Sequence, residues 1–283
     1  MTLLTANDIK TIPFKKANHR LHYGQEAQQY ADLRLPNTKG PHPILVIIHG
    51  GCWLSKFANL DIMSAFAERF TDKGFSTWNI EYRCMDQGGG WPGTFLDVGQ
   101  AVDYLDKIAA QYDLDLSNVT VIGHSSGGHL ALWVSSRHQL PLDSPLISHN
   151  MIRIKAAVNL AGEGDLRAFL PIQRIACGES VIEPLLGNSS TTFDERILHS
   201  SPIELLPTGV KQLVISGSED RAVPVSLSEA YLQAAKKAGD NVEFICIPNA
   251  GHFEVISPKS NAWPIIEEAV LKLILNNEGV SRS

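Results

Sequence analysis

Three features of the sequence predict an α/β protein with a mostly parallel sheet flanked by helices. Short unbroken apolar runs recur along it, helical patterns lie between them, and glycine-bearing turns follow the runs. The runs at 44–48 (ILVII), 119–122 (VTVI), 156–160 (AAVNL) and 213–215 (LVI) have the form of strands covered on both faces, where alternation with polar residues is not needed. Segments 75–80 and 242–247 complete the set.

Taken in chain order, residues 28–35 (QQYADLRL) come first and differ from the rest. They alternate apolar and polar, which suits an edge or antiparallel strand. Over 97–112, Val98, Ala101, Val102, Leu105, Ile108 and Ala109 repeat at helical spacing, with Asp97 as the expected cap. The stretch 119–133 (VTVIGHSSGGHLALW) then reads as strand, tight turn and apolar helix in immediate succession. In open α/β sheets chemistry gathers at the carboxyl ends of the strands, so the loops there carry the functional reading.

At 283 residues the chain is near the upper limit of one hydrophobic core, and no linker or repeat interrupts it. A single domain over 1–283 is expected, with 1–20 as an amino-terminal extension and 163–206, too long for a simple loop, as a cap-like insertion. Its 44% apolar and 19% charged residues are those of a globular enzyme. A net charge of −6 without a basic patch argues against nucleic acid and anionic membrane as partners. The amino terminus lacks the pattern of a secretory signal and no apolar stretch reaches about 18 residues, so a cytoplasmic location is expected. Cys52, Cys84, Cys177 and Cys246 lie far apart without a CxxC pair, which suggests no metal site and leaves them to be read as small buried apolar side chains.

The turn Gly123-His124-Ser125-Ser126-Gly127 nominates Ser125 as a nucleophile. A hydroxyl attacks only when held exposed beside a base, and a strained strand-to-helix elbow does that holding. Gly123 and Gly127 are read as small because strand and helix cross closely there. After the 44–48 run comes His49-Gly50-Gly51-Cys52-Trp53, where successive glycines let backbone N–H groups face a substrate oxygen. The expected donors are Gly51, Cys52 and Ser126, with His49 orienting the loop. Behind the 213–215 run, Asp220 is the expected partner of a catalytic histidine, with Glu219, Glu163 and Asp165 as rivals. His252, behind Gly251 at the end of the last strand, is the expected base; His124, His129 and His138 belong to the turn and helix around Ser125.

The stretches HGGCW (49–53), EYR (81–83), GHSSGGHLALW (123–133), GSEDRAVP (217–224) and AGHFEVI (250–256) together make the chain resemble the α/β-hydrolase superfamily. More narrowly it is similar to the branch of small carboxylesterases, acetylxylan- and feruloyl-esterase-like proteins and animal-type kynurenine formamidases. The resemblance runs over about 21–275. It implies an eight-stranded type of sheet, no cofactor, and a Ser-Asp-His triad at Ser125, Asp220 and His252. Cys52 stands where the related lipase pattern has a third glycine, and there is no long amino-terminal cap.

The expected activity is hydrolysis of a small-molecule carboxylic ester with a short acyl group. Hydrolysis of an aryl formamide by the same residues is the alternative, and a non-catalytic hydrolase-like binding protein is the third reading. Trp53, Trp91 and the 87–90 loop are candidates for an aromatic substrate wall, the alternative being that the two indoles only pack the scaffold. Ser125 rather than Asp at the elbow disfavours dehalogenase and epoxide-hydrolase chemistry.

Overall fold

The structure, a computed structural model, describes residues 2–148, 150–188 and 191–275. Eight strands form one sheet: β1 (His19–His22), β2 (Tyr30–Arg34), β3 (His42–Ile48), β4 (Ser76–Ile80), β5 (Leu114–His124), β6 (Ala156–Leu160), β7 (Lys211–Gly217) and β8 (Val242–Ile247). Their order across the sheet is β1-β2-β4-β3-β5-β6-β7-β8. Strand β2 runs antiparallel to both β1 and β4, and the remaining pairings are parallel. The alternating segment thus takes the antiparallel position expected of it, and β1, a four-residue strand that is mostly exposed, lies outside it at the edge.

Eleven helices join these strands among the described residues: α1 (Ala6–Lys10), α2 (Ser64–Thr71), α3 (Gly93–Asp103), α4 (Leu105–Tyr112), α5 (Ser126–Ser136), α6 (Leu166–Phe169), α7 (Gln173–Cys177), α8 (Ile182–Leu185), α9 (Phe193–Ser200), α10 (Val225–Ala238) and α11 (Trp263–Leu275). The two faces of the sheet follow the period of two. Ile44, Val46 and Ile48 of β3 join one core with side chains of α3, α4, α5 and α10. Leu45 and Ile47 point the other way, into a second core with α1, α2 and α11. This two-sided burial is why the strands read as unbroken apolar runs.

One expected helix is divided and re-capped. Residues 93–112 form α3 and α4, meeting at Tyr104, and Asp97 lies inside α3 rather than at its start. Its buried carboxylate accepts from Arg83 Nε and Nη2 at 2.8 Å each and from Gln29 Nε2 at 2.6 Å. The tertiary partners outcompete the cap, because a charge this buried requires a full set of donors.

Strand β3 sits where the order reverses, with β4 on one side and β5 on the other. Such a switch point opens a crevice at the carboxyl ends of the two central strands. The loop after β3 and the turn after β5 therefore face one another by topology.

Candidate active site

Ser125 stands between β5 and α5 with φ 53° and ψ −127°, a conformation L-residues avoid. Neighbouring packing holds it there: a Cβ on Gly123 would lie 1.9 Å from the Gly127 carbonyl oxygen, and one on Gly127 2.2 Å from that of Ile48. Only glycine admits this crossing. The Ser125 N–H donates to Leu160 O at 2.9 Å, tying the turn to β6.

From the loop after β7, Asp220 turns its carboxylate to the loop after β8, where His252 Nδ1 donates to Asp220 Oδ2 at 2.7 Å. The other carboxylate oxygen accepts the N–H groups of Ala222 (2.8 Å) and Val223 (2.9 Å), so Asp220 is fixed at both ends. With Nδ1 engaged, Nε2 is the ring nitrogen left for chemistry. Ser125 and His252 both line one cavity of about 320 Å³. Of the rival acids, Asp165 caps α6 and Glu219 is exposed, whereas Glu163 lines the same cavity.

The other histidines have separate partners. His124 Nε2 donates to His252 O at 2.9 Å, and burial, reinforced by the nearby His252 ring, holds its pKa well below the ordinary value. His129 Nε2 donates to Ser200 O, and burial lowers its pKa to about 4. His138 is exposed beyond α5.

The loop after β3 carries three successive residues at positive φ, Gly51 (118°), Cys52 (53°) and Trp53 (56°). Its anchor is His49, whose Nδ1 faces Gly50 O at 2.7 Å and whose Nε2 faces Glu81 Oε1 at 3.1 Å. Burial disfavours the imidazolium, but Glu81 outweighs it and raises the His49 pKa. Two acceptors for two ring nitrogens call for the doubly protonated ring. Tyr82 stacks on it at 4.4 Å and donates to His49 O. The Trp53 N–H reaches Ser126 Oγ at 3.4 Å, linking this loop to the start of α5. Among the described residues, the N–H groups of Gly51, Cys52 and Ser126 have no acceptor.

The segment 31–234 matches the family model BD-FAE. The chain belongs to the BD-FAE family. It is thereby a hydrolase of the α/β-hydrolase class, and the eight-stranded sheet is the one the resemblance implied. This BD-FAE chain is 26% identical over 254 residues to a kynurenine formamidase of Danio rerio, covering 89% of the chain and 80% of that protein. It is 23% identical over 243 residues to a probable isoprenylcysteine alpha-carbonyl methylesterase of Oryza sativa subsp. japonica, where 82% of the chain spans only 57% of the relative. Among solved structures, an esterase B from Lactobacillus rhamnosis inhibited by a tributyrin phosphonate superposes with a TM-score of 0.80 at 19% identity, over 95% of this chain and 90% of that one.

In this BD-FAE chain several expectations need correction. Trp53 is fully buried, edge-on to His129 at 5.3 Å, and is absent from the cavity wall. Trp91 packs against Phe95 and His199 with Arg196 over its ring, also away from the cavity. Neither they nor the 87–90 loop line the cavity that holds Ser125 and His252; both indoles pack the scaffold, as large apolar rings next to a core do. The wall is instead built by Phe57, Ile62, Phe169, Val223 and Phe253, together with Ala6, Asn7 and Lys10 of α1. The amino-terminal extension is thus part of the site. It is pinned there because the Leu4 N–H donates to Glu254 Oε1 at 2.6 Å while Glu254 Oε2 accepts from Gly251, next to His252. No spacing signal announced this; only the Thr5/Asp8 capping box marks α1 in sequence.

The cysteines are corrected as well. Cys52 and Cys177 form a disulfide, Cys84 is buried, and Cys246 is exposed at the sheet edge. The bond ties the β3 loop to α7 in the insertion, which contributes Phe169, Ala176 and Cys177 to the cavity. Such bonds persist in oxidising compartments, so this one runs against the expected cytoplasmic location. No described helix is long and apolar enough to cross a membrane. With its ends 125 positions apart in sequence, the bond is expected to contribute about 2–4 kcal/mol. Guanidinium unfolding of Cys177→Ser should show that loss, and dithiothreitol should impose it on the parent protein but not on the variant. An unchanged midpoint in both would deny the bond a stabilising role.

Proposed function

We propose that the protein hydrolyses small-molecule carboxylic esters with a short acyl group through an acyl-enzyme on Ser125. The observation that carries this reading is that the Asp220–His252 pair, at 2.7 Å, opens on the same small cavity as Ser125 at its strained turn. His252 Nε2 takes the hydroxyl proton as Ser125 Oγ attacks the acyl carbonyl carbon. In this reading the tetrahedral anion is received by the N–H groups of Gly51, Cys52 and Ser126, which have no other acceptor among the described residues. Collapse breaks the bond to the alcohol oxygen, which leaves with the proton from His252. Water activated by the same nitrogen then frees the acid.

A cavity of about 320 Å³ lies at the small end for ligand sites, which supports a short acyl chain over a long one. The same residues serve an amide, and the kynurenine formamidase relative, matched over 89% of the chain, supports N-formylkynurenine as the second substrate to try. The test is a panel of p-nitrophenyl esters from acetate to dodecanoate, with N-formylkynurenine alongside and a fluorophosphonate label as control. The expected result is labelling at Ser125 and kcat/KM highest for acyl chains of about two to four carbons. A preference for chains beyond about eight carbons contradicts the short pocket, and formamide turnover far above every ester favours the formamidase. Absence of both labelling and turnover favours a binding protein with the fold alone.

A further inference from the structure

Glu163 follows β6 in the loop that starts the insertion, and the reaction as written does not use it. It lines the cavity with Ser125 and His252, is 2% exposed, and its Oε2 is buried without a hydrogen-bond partner among the described residues. An orphan carboxyl oxygen in an apolar wall is costly to keep. The wall around it includes Phe169, Val223 and Phe253, which supply no donor or acceptor from their side chains.

We propose that Glu163 is a specificity-determining residue whose neutral carboxyl donates a hydrogen bond to an oxygen on the substrate, so that the site favours esters carrying an ether, hydroxyl or carbonyl oxygen close to the scissile group. This rests on Ser125 hydrolysing esters, as above. The charges around Glu163 are compatible with its staying protonated. Asp220 and His252 face it from the loops after β7 and β8, and their opposite signs largely offset one another when the ring is charged. When the ring is neutral, the carboxylate of Asp220 remains and disfavours a second anion. His124, at the end of β5, is held neutral by burial. Lys10 of α1 and Lys56 of the β3 loop lie on the cavity wall, both exposed to solvent, and Lys56 is paired with Glu179. Asp165 is turned to the N–H groups of α6. Burial accordingly raises the Glu163 carboxyl to about 7. Below that pH it donates; above it the carboxylate can only accept, and it repels the substrate oxygen it would otherwise hold.

The experiment compares esters that differ by one oxygen for one methylene. On the acyl side these are p-nitrophenyl methoxyacetate and p-nitrophenyl butyrate; on the alcohol side, 2-methoxyethyl acetate and butyl acetate. The ratio of kcat/KM within each pair, corrected by the ratio for hydroxide hydrolysis, is followed from pH 5.5 to 9. For at least one pair the corrected ratio is expected to favour the ether at low pH and to fall about tenfold as the pH rises through about 7. Glu163→Gln, which keeps an N–H donor and the shape, should hold the ratio level across the range. Glu163→Leu should hold it level at the low value, with thermal unfolding checking that both variants fold.

Ratios independent of pH in the parent protein, or a fall that persists in Glu163→Gln, overturn the proposal. An effect of Glu163 exerted only through His252 would move both members of a pair alike and leave the ratio unchanged, which also overturns it. Failure here is separable from failure of the esterase reading: steady turnover of butyrate by Ser125 with flat ratios removes only the role of Glu163, while loss of all ester turnover removes the activity on which it rests.

Discussion

Ser125→Ala is expected to lower kcat for p-nitrophenyl acetate by at least about 10⁴-fold and to leave the thermal unfolding midpoint nearly unchanged. The size follows from what the hydroxyl does alone in this chain: no other side chain on the cavity wall is a nucleophile held beside the Asp220–His252 pair. The stability expectation follows from the backbone. The positive φ at 125 is imposed by the crossing of Gly123 and Gly127 and by the Ser125 N–H bond to Leu160, none of which involves the hydroxyl. Alanine bears the same strain as serine there. Loss of fluorophosphonate labelling should accompany the loss of turnover. A variant that keeps more than about a hundredth of the parent rate would show that another group attacks the acyl carbon, and the oxyanion donors would then stabilise an intermediate formed elsewhere.

What could be read from sequence divides along a physical line. The strained turn at Ser125, Gly123 and Gly127 was legible because the elbow is local: the need for small residues at a close crossing, with the strained residue at its apex, falls within five residues. Asp220 and His252 were legible one step removed, since a strand's carboxyl end fixes where its following loop must lie even when the partner loop is 32 residues away. The unbroken apolar run of β3 likewise predicted burial on both faces of the sheet.

Most of the readings that failed turn on groups far apart in sequence. Asp97 has the residue type and position of a cap, but Arg83 and Gln29 give its carboxylate a better set of partners inside the fold. Trp53 follows the loop glycines and would face a substrate if the chain ran straight. Three successive positive φ values turn it back into the core instead. The Cys52–Cys177 bond joins residues 125 apart through an insertion whose course has no periodic signal. The amino-terminal extension is held at the site by the Leu4–Glu254 bond and by Ile9 and Ile12 in the second core, contacts that spacing does not encode.

Asp220→Asn is expected to reduce kcat by about 10⁴-fold with little change in KM. The hydrogen bonds around position 220 decide how the amide must sit. Oδ1 accepts from two backbone N–H groups, of Ala222 and Val223, at 2.8 and 2.9 Å. In the variant those donors claim the amide oxygen, because turning the NH₂ toward them would leave three donors facing one another without an acceptor. The NH₂ is then presented to His252 Nδ1, which must become the accepting nitrogen. The ring proton is driven to Nε2, and that nitrogen can no longer take a proton from Ser125. The fold keeps its hydrogen bonds while the base is disabled, so unfolding should change far less than rate. Glu163 supplies the contrast, since it lines the same cavity and is the one rival acid placed near His252. If Glu163 could orient the ring, Asp220→Asn would retain more than about a tenth of the activity and adding Glu163→Gln would abolish it. Equal rates in the single and double variants, both near the floor, are the outcome that leaves Asp220 as the sole partner of His252.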